Sequence, residues 1–288
     1  MPIRTILVPI DGANTSHSTL ETAYMVGRDL DAHLDVFHIA ADPKDAVPLL
    51  GEGMSGAMIE EMIDLAEKDA HTRSDRAHKL FEEFRARHSV DVVDTPRATD
   101  KISTKWIMDT GREDEAVARR GRLADLIIVG QPTPASDLSS TLTLNAAIFE
   151  TGRPVLLAPT NTPAALGKKI AVFWNGSAES ARAASAAMPF FKQAEATVIL
   201  TADSSRTSSA NVSHLTDYMA WHGVSASMEA VAPAGRAVGE ALLKAADQAG
   251  ADMLVMGAYT HSRMRQLILG GVTKHVLANT TIPLFLIH

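Results

Sequence analysis

Residues 257–273, GAYTHSRMRQLILGGVT, gather glycines, hydroxyls and basic side chains directly behind the apolar run Met253–Met256. The chemistry that this composition suits is the holding of a phosphate. A glycine just past a strand lets backbone approach phosphate oxygens with no Cβ in the way. Gly270 and Gly271 stand where they would open a helix through Val272 and Thr273 to Ala278. The free N–H groups and the dipole of such a helix favour an anion. His261, Arg263 and Arg265 lie in between and could screen its charge. The plainer alternative is a glycine-containing connection kept for packing.

Other groupings carry less. Glu67, His71, Asp75 and His78 are spaced by four, four and three residues, which puts them on one helical face where zinc could bind. A solvated face with i,i+4 charge pairs is the simpler reading, and we assign no metal site. His214, His222, His261 and His275 show no Ser–His–Asp order, and there is no Walker lysine motif. We therefore expect no catalytic residues and no enzyme. Trp106, Trp174 and Trp221 read as core or domain-interface residues.

The elements that must position these residues are written twice. TILVPIDG at 5–12 is matched by KIAVFWNG at 169–176, and LDVFHIA at 34–40 by ATVILTA at 196–202. ADLIIVG at 124–130 is matched by ADMLVMG at 251–257, and GRPVLLAP at 152–159 by TIPLFLIH at 281–288. The apolar runs are short, rich in Val, Ile and Leu, and do not alternate, as in strands buried on both faces of a parallel sheet. Helical stretches separate them. In TSHSTLETAYMVGRDL, Thr15 or Ser16 would be the N-cap, with Leu20, Ala23 or Tyr24, and Leu30 inward. In the second copy Ser177 caps a helix with Ala181, Ala184, Ala187 or Met188, and Phe191 inward. Strand and helix in alternation give an α/β chain of two tandem doubly wound domains, each with a five-stranded parallel sheet. Residues 1–160 form the first, with a long helical insertion over roughly 57–87, and residues 168–288 the second. Ligands sit at the carboxyl ends of strands in such sheets, where Asp11, Gly130, Asn175 and Gly257 fall.

A hydrophobic fraction of 46% and a charged fraction of 21% are those of a soluble globular chain. A net charge of −7 offers no general attraction to nucleic acid or to an anionic membrane. With no cysteines, disulfides and thiolate ligands are excluded. No stretch reaches the ~18 apolar residues of a membrane span, and a cytoplasmic location is expected.

On VPIDG, ADLIIVG, ADMLVMG, the closing strands and above all GAYTHSRMRQLILGGVTKHVL, the chain resembles the universal stress protein family in its tandem form. The resemblance implies an adenine nucleotide alpha hydrolase-like fold. Members that bind ATP or AMP carry Gly, two residues, Gly, nine residues, then Gly and a hydroxyl residue. Gly257, Thr260 and Gly270 fall on the glycine positions, Gly271 on the hydroxyl position, and Thr273 matches a further hydroxyl near the phosphates. Val272 follows in the same helix start. Family binders also use an Asp ending the first strand on the adenine side. The first copy has it, Asp11, but after Gly130 its phosphate loop is gone; the second has the loop but carries Asn175. The resemblance thus implies a stress-response regulator taking ATP, with magnesium, or AMP in the second copy. The alternative is a protein that holds no nucleotide and works through dimerisation or partner contacts. It also implies an internal pseudo-dimer, PVLLAP lying antiparallel to PLFLIH, on which a homodimer could build.

Overall fold

The computed structural model describes residues 2–43, 55–98, 100–133, 138–202, 209–258 and 271–288. The first half runs β1 (Thr5–Pro9), α1 (Thr15–Leu30), β2 (His33–Ala40), α2 (Gly56–His88), β3 (Asp91–Val92), β4 (Ser103–Thr110), α3 (Glu113–Gly121), β5 (Leu126–Gly130), α4 (Leu138–Glu150) and β6 (Val155–Ala158). The second runs β7 (Lys169–Phe173), α5 (Ala178–Ala186), α6 (Met188–Phe191), β8 (Ala196–Ala202), α7 (Ser209–Trp221), β9 (Ser227–Val231), α8 (Val238–Gln248), β10 (Met253–Gly257), α9 (Val272–Asn279) and β11 (Leu284–Ile287).

These strands form one sheet in the order β3-β4-β2-β1-β5-β6-β11-β10-β7-β8-β9. Neighbours are parallel except at the centre, where β6 and β11 run antiparallel with Phe285 opposite Leu156. Outward from that junction the orders β6-β5-β1-β2-β4 and β11-β10-β7-β8-β9 repeat one another, which is the internal pseudo-dimer expected from the two closing strands. The two-residue β3 adds a sixth strand to the first half, beyond the five read from sequence.

Alternate side chains of the buried strands feed opposite cores, which is why the runs are apolar throughout. Ile6 and Val8 join a core on one face with Leu20, Val26, Phe81 and Phe84. Leu7, between them, joins the other with Phe37, Val117 and Ile127. The repeated Ala-Asp before β5 and β10 has a structural role. Asp125 Oδ2 accepts the backbone N–H groups of Arg4 and Thr5 at 2.9 and 3.0 Å, and Asp252 accepts those of Lys168 and Lys169 at 3.2 and 3.1 Å. Each carboxylate pins the start of the neighbouring strand.

The helix starts differ from expectation in part. Ser177 caps α5, its Oγ accepting the Ser180 N–H at 3.2 Å. In α1 the N-cap is Asn14, and the Ser16 hydroxyl donates to Asp11 Oδ1 instead. On α5, Ala181 faces solvent while Ser180, Ala183 and Ala184 are buried, so the inward face starts one residue earlier than expected, and the helix breaks at Ala187 ahead of Pro189.

Candidate functional site

In the second half, the carboxyl ends of β7 and β10 face the N-termini of α5 and α9. Asn175, just past β7, folds its side chain into a turn, Oδ1 accepting the Ser177 N–H at 3.1 Å. Gly257 ends β10, and a Cβ there would stand 2.5 Å from Ser180 N and 2.6 Å from the Glu179 carbonyl carbon. The backbone of α5 therefore needs a glycine here, a packing demand that stands beside the phosphate-approach reading of Gly257. Gly130 repeats the arrangement in the first half, its Cβ position lying 2.8 Å from Thr19 Oγ1 on α1. Gly271 is different: it is the extended N-cap of α9 at φ −72° and ψ 160°, with no described atom within 4 Å of a Cβ position. Val272 opens the helix and Thr273 is buried one residue on. Thr260, His261 and Gly270 lie outside the described residues.

One carboxylate stands in the first turn of α5. Burial raises the Glu179 carboxyl, but its own backbone N–H, Ser177 and Arg182 outweigh that and hold it below the usual carboxylate range. Its Oε1 accepts from Arg182 at 2.9 Å, so the charge is partly compensated. His288 Nδ1 lies 3.0 Å from the Ala258 carbonyl and its ring meets Phe149 edge-on, tying the second half's last residue to α4.

In the first half the turn after β1 is covered by α2. Helix α2 crosses the carboxyl end of β1 so closely that a Cβ on Gly12 would stand 2.7 Å from the Arg73 carbonyl oxygen. Asp11 is used locally, Oδ1 accepting from Ala13 N–H at 2.8 Å and from the Ser16 hydroxyl at 2.9 Å. Beside it His38 is 2% exposed, with Nδ1 2.8 Å from the Ile10 carbonyl and Nε2 3.0 Å from Ser74 Oγ on α2. A carbonyl only accepts, so Nδ1 carries the proton and Nε2 takes the Ser74 hydroxyl. Burial lowers the His38 pKa, against the pull of the Ile10 carbonyl and Asp11, and the ring is held neutral. Sequence reasoning gave no sign of this histidine, since β2 reads as an apolar strand to its end.

The remaining candidates separate. Among the described residues no three His, Asp or Glu side chains converge on a metal position. Of the helical quartet, His78 turns to Trp106, with ring centroids 5.2 Å apart. His275 packs over Gly239 of α8. Trp221, expected inside, is 90% exposed. One serine and one aspartate do meet a histidine: His33 Nδ1 is 2.8 Å from Ser103 Oγ, and Nε2 is 3.4 Å from Asp35 Oδ1. They sit at the amino ends of β2 and β4, and Ser103 is buried at 2% exposure, where no substrate reaches.

Two tandem doubly wound halves, joined antiparallel through their last strands and each turning at Asp-Gly or Asn-Gly, match the family model for universal stress proteins over residues 2–133 and 167–288. The chain belongs to the universal stress protein family. Among solved structures, a universal stress protein from Archaeoglobus fulgidus is 16% identical with a TM-score of 0.66, over 98% of this chain and 95% of that one. A protein of unknown function from Pseudomonas aeruginosa is 15% identical with a TM-score of 0.55, over 99% and 92%. At these identities the likeness is one of fold. No curated protein matches the sequence. Among the described residues, no helix of this universal stress protein is long and apolar enough to cross a membrane.

Proposed function

We propose that this universal stress protein is a stress-response regulator that binds ATP with magnesium, or AMP, in its second half. The observation that carries the reading is the N-terminus of α9, where Gly271 is an extended N-cap with no side-chain cap hydrogen bond and, among the described residues, no atom within 4 Å of a Cβ position. Those groups and the helix dipole favour a phosphate. Thr273 adds a hydroxyl in the first turn, and Asn175 lies across the switch point at the end of β7. The first half is assigned no nucleotide, because after Gly130 its chain carries no further glycine until Gly152. The reading assigns binding and no catalytic step. The test is to denature the purified protein and identify released nucleotide by mass spectrometry. ATP, ADP or AMP near one per chain supports the reading; an empty protein that also fails to bind added ATP–magnesium sinks it.

A second reading has its own support. The 90% exposed Trp221 is a natural anchor for a partner. Capture of a partner that is lost in Trp221→Ala, from a protein that carries no nucleotide, would favour it.

A further inference from the structure

Helix α2 is much longer than the strands it docks on. Its buried residues, Ala77, Phe81 and Phe84, all lie in its second half, and it meets the ends of β1 and β2 where the Arg73 carbonyl approaches Gly12 and Ser74 meets His38. The stretch before that, from Gly56 to Thr72, runs on past the carboxyl end of β1 for about 25 Å at the helical rise per residue. Two apolar rows lie along it. Met58, Met62 and Leu65 follow at i, i+4 and i+7, and so do Ile59, Ile63 and Ala66, so the rows are adjacent and make one face. Met58 is 52% exposed and Leu65 69%, and among the described residues none of the six joins either core.

Charge decides what can cover this face. Glu60, Glu61, Asp64 and Glu67 are all exposed, and from Gly56 to Glu67 there is no Lys, Arg or His. Helical spacing puts Glu61 beside one edge of the apolar face and Glu60 and Glu67 beside the other. A second copy laid on it would set these acids against themselves, and an anionic lipid surface is repelled in the same way. An apolar face edged by carboxylates is complemented by an apolar face edged by cations. The two methionines suit such a contact, since an unbranched, polarizable side chain adapts to the shape it meets.

We infer that the projecting half of α2 docks a basic amphipathic helix of a partner protein, its apolar stripe on Met58, Met62 and Leu65 and its Lys or Arg flanks on Glu60, Glu61 and Glu67. A helix of this length with no core beneath it gains most from a second helix along its apolar face, because packing rather than propensity stabilises helices in water. The inference rests neither on nucleotide at α9 nor on Trp221.

The test is fluorescence anisotropy of a labelled, end-capped peptide of about 18 residues built only of Leu and Lys, with Leu at helical spacing, titrated with the full chain at physiological salt. The expected result is saturable binding with a dissociation constant of about 10 μM or tighter. A peptide of the same composition in scrambled order, and one with Glu in place of every Lys, should each bind at least about tenfold more weakly. Met62→Ser combined with Leu65→Ser leaves the charge unchanged and should weaken binding about tenfold or more. Its unfolding midpoint should match the parent's, since neither residue joins a core, and this shows that the loss is not unfolding. Glu60→Gln combined with Glu67→Gln should weaken binding about fivefold and flatten its salt dependence. No saturation, equal binding of the scrambled peptide, or full affinity in either pair of variants would each overturn the inference. So would a chain that light scattering shows to be a dimer and that Met62→Ser with Leu65→Ser turns into a monomer, because a second copy would then cover the face.

Discussion

The two glycines that end β5 and β10 look alike in sequence, yet the structure gives them different tolerances. A Cβ on Gly257 would lie 2.5 Å from Ser180 N, 2.6 Å from Glu179 C and 2.7 Å from Glu179 Cβ. Two of those three atoms are backbone. Non-bonded heavy atoms are comfortable near 3.5 Å, so α5 must retreat from the sheet by about 1 Å to admit one methyl group. Ser180, Ala183 and Ala184, each 1–2% exposed, would lose their packing as it moved. Overpacking of this kind costs about 3 kcal/mol, and the stiffer unfolded chain returns about 0.5–1 kcal/mol, leaving Gly257→Ala about 2 kcal/mol less stable. Gly130→Ala meets chiefly Thr19 Oγ1, the end of a side chain, and should lose no more than about 1 kcal/mol. Urea unfolding followed by tryptophan fluorescence measures both, as a shift in midpoint at constant slope. If Gly257→Ala stayed within 0.5 kcal/mol of the parent, α5 would not be seated on β10 as described.

Other outcomes follow from the same contacts. The folded pKa of His38 lies below its ordinary 6.5, so the unfolded chain takes up the proton first as pH falls. Its contribution is therefore complete above about pH 6.5 and is lost as pH falls through the folded value; the stability–pH slope below pH 6.5 should be shallower in His38→Gln, and an unchanged slope in matched urea melts would refute the assignment. Gln131, at the end of β5, donates Nε2 to the carbonyls of Leu277 and Thr280 at 2.9 and 3.2 Å, across the two halves. Gln131→Leu should cost about 1–3 kcal/mol by stranding both buried acceptors, measured in the same melts, and a neutral result would mean that solvent satisfies them.

Much of the architecture was legible because parallel strands buried on both faces leave unbroken Val, Ile and Leu runs, and each run recurs in the other half. The antiparallel β6–β11 junction was implied by the family resemblance, and it covers two strand edges that would otherwise stay open. What sequence could not show was the depth at which helices dock. Gly130 and Gly257 read as ligand glycines, because the same residue that frees space for a phosphate also frees space for α1 or α5. The long helix at roughly 57–87 was visible as a charged amphipathic stretch, but that its backbone settles on Gly12 depends on Ala77, Phe81 and Phe84 sinking into the core.

The central claim is that the N-terminus of α9 receives the phosphates of an adenine nucleotide. Gly271 offers a clean probe, since its extended backbone suits any residue and no described atom stands within 4 Å of a Cβ. Isothermal titration of ATP–magnesium and AMP into the full chain and into Gly271→Val tests it most directly. The account predicts saturable binding at one site per chain, weakened about tenfold or more by Gly271→Val with the unfolding midpoint unchanged. Absence of saturable binding to the parent chain, or equal affinity in the variant, would contradict it.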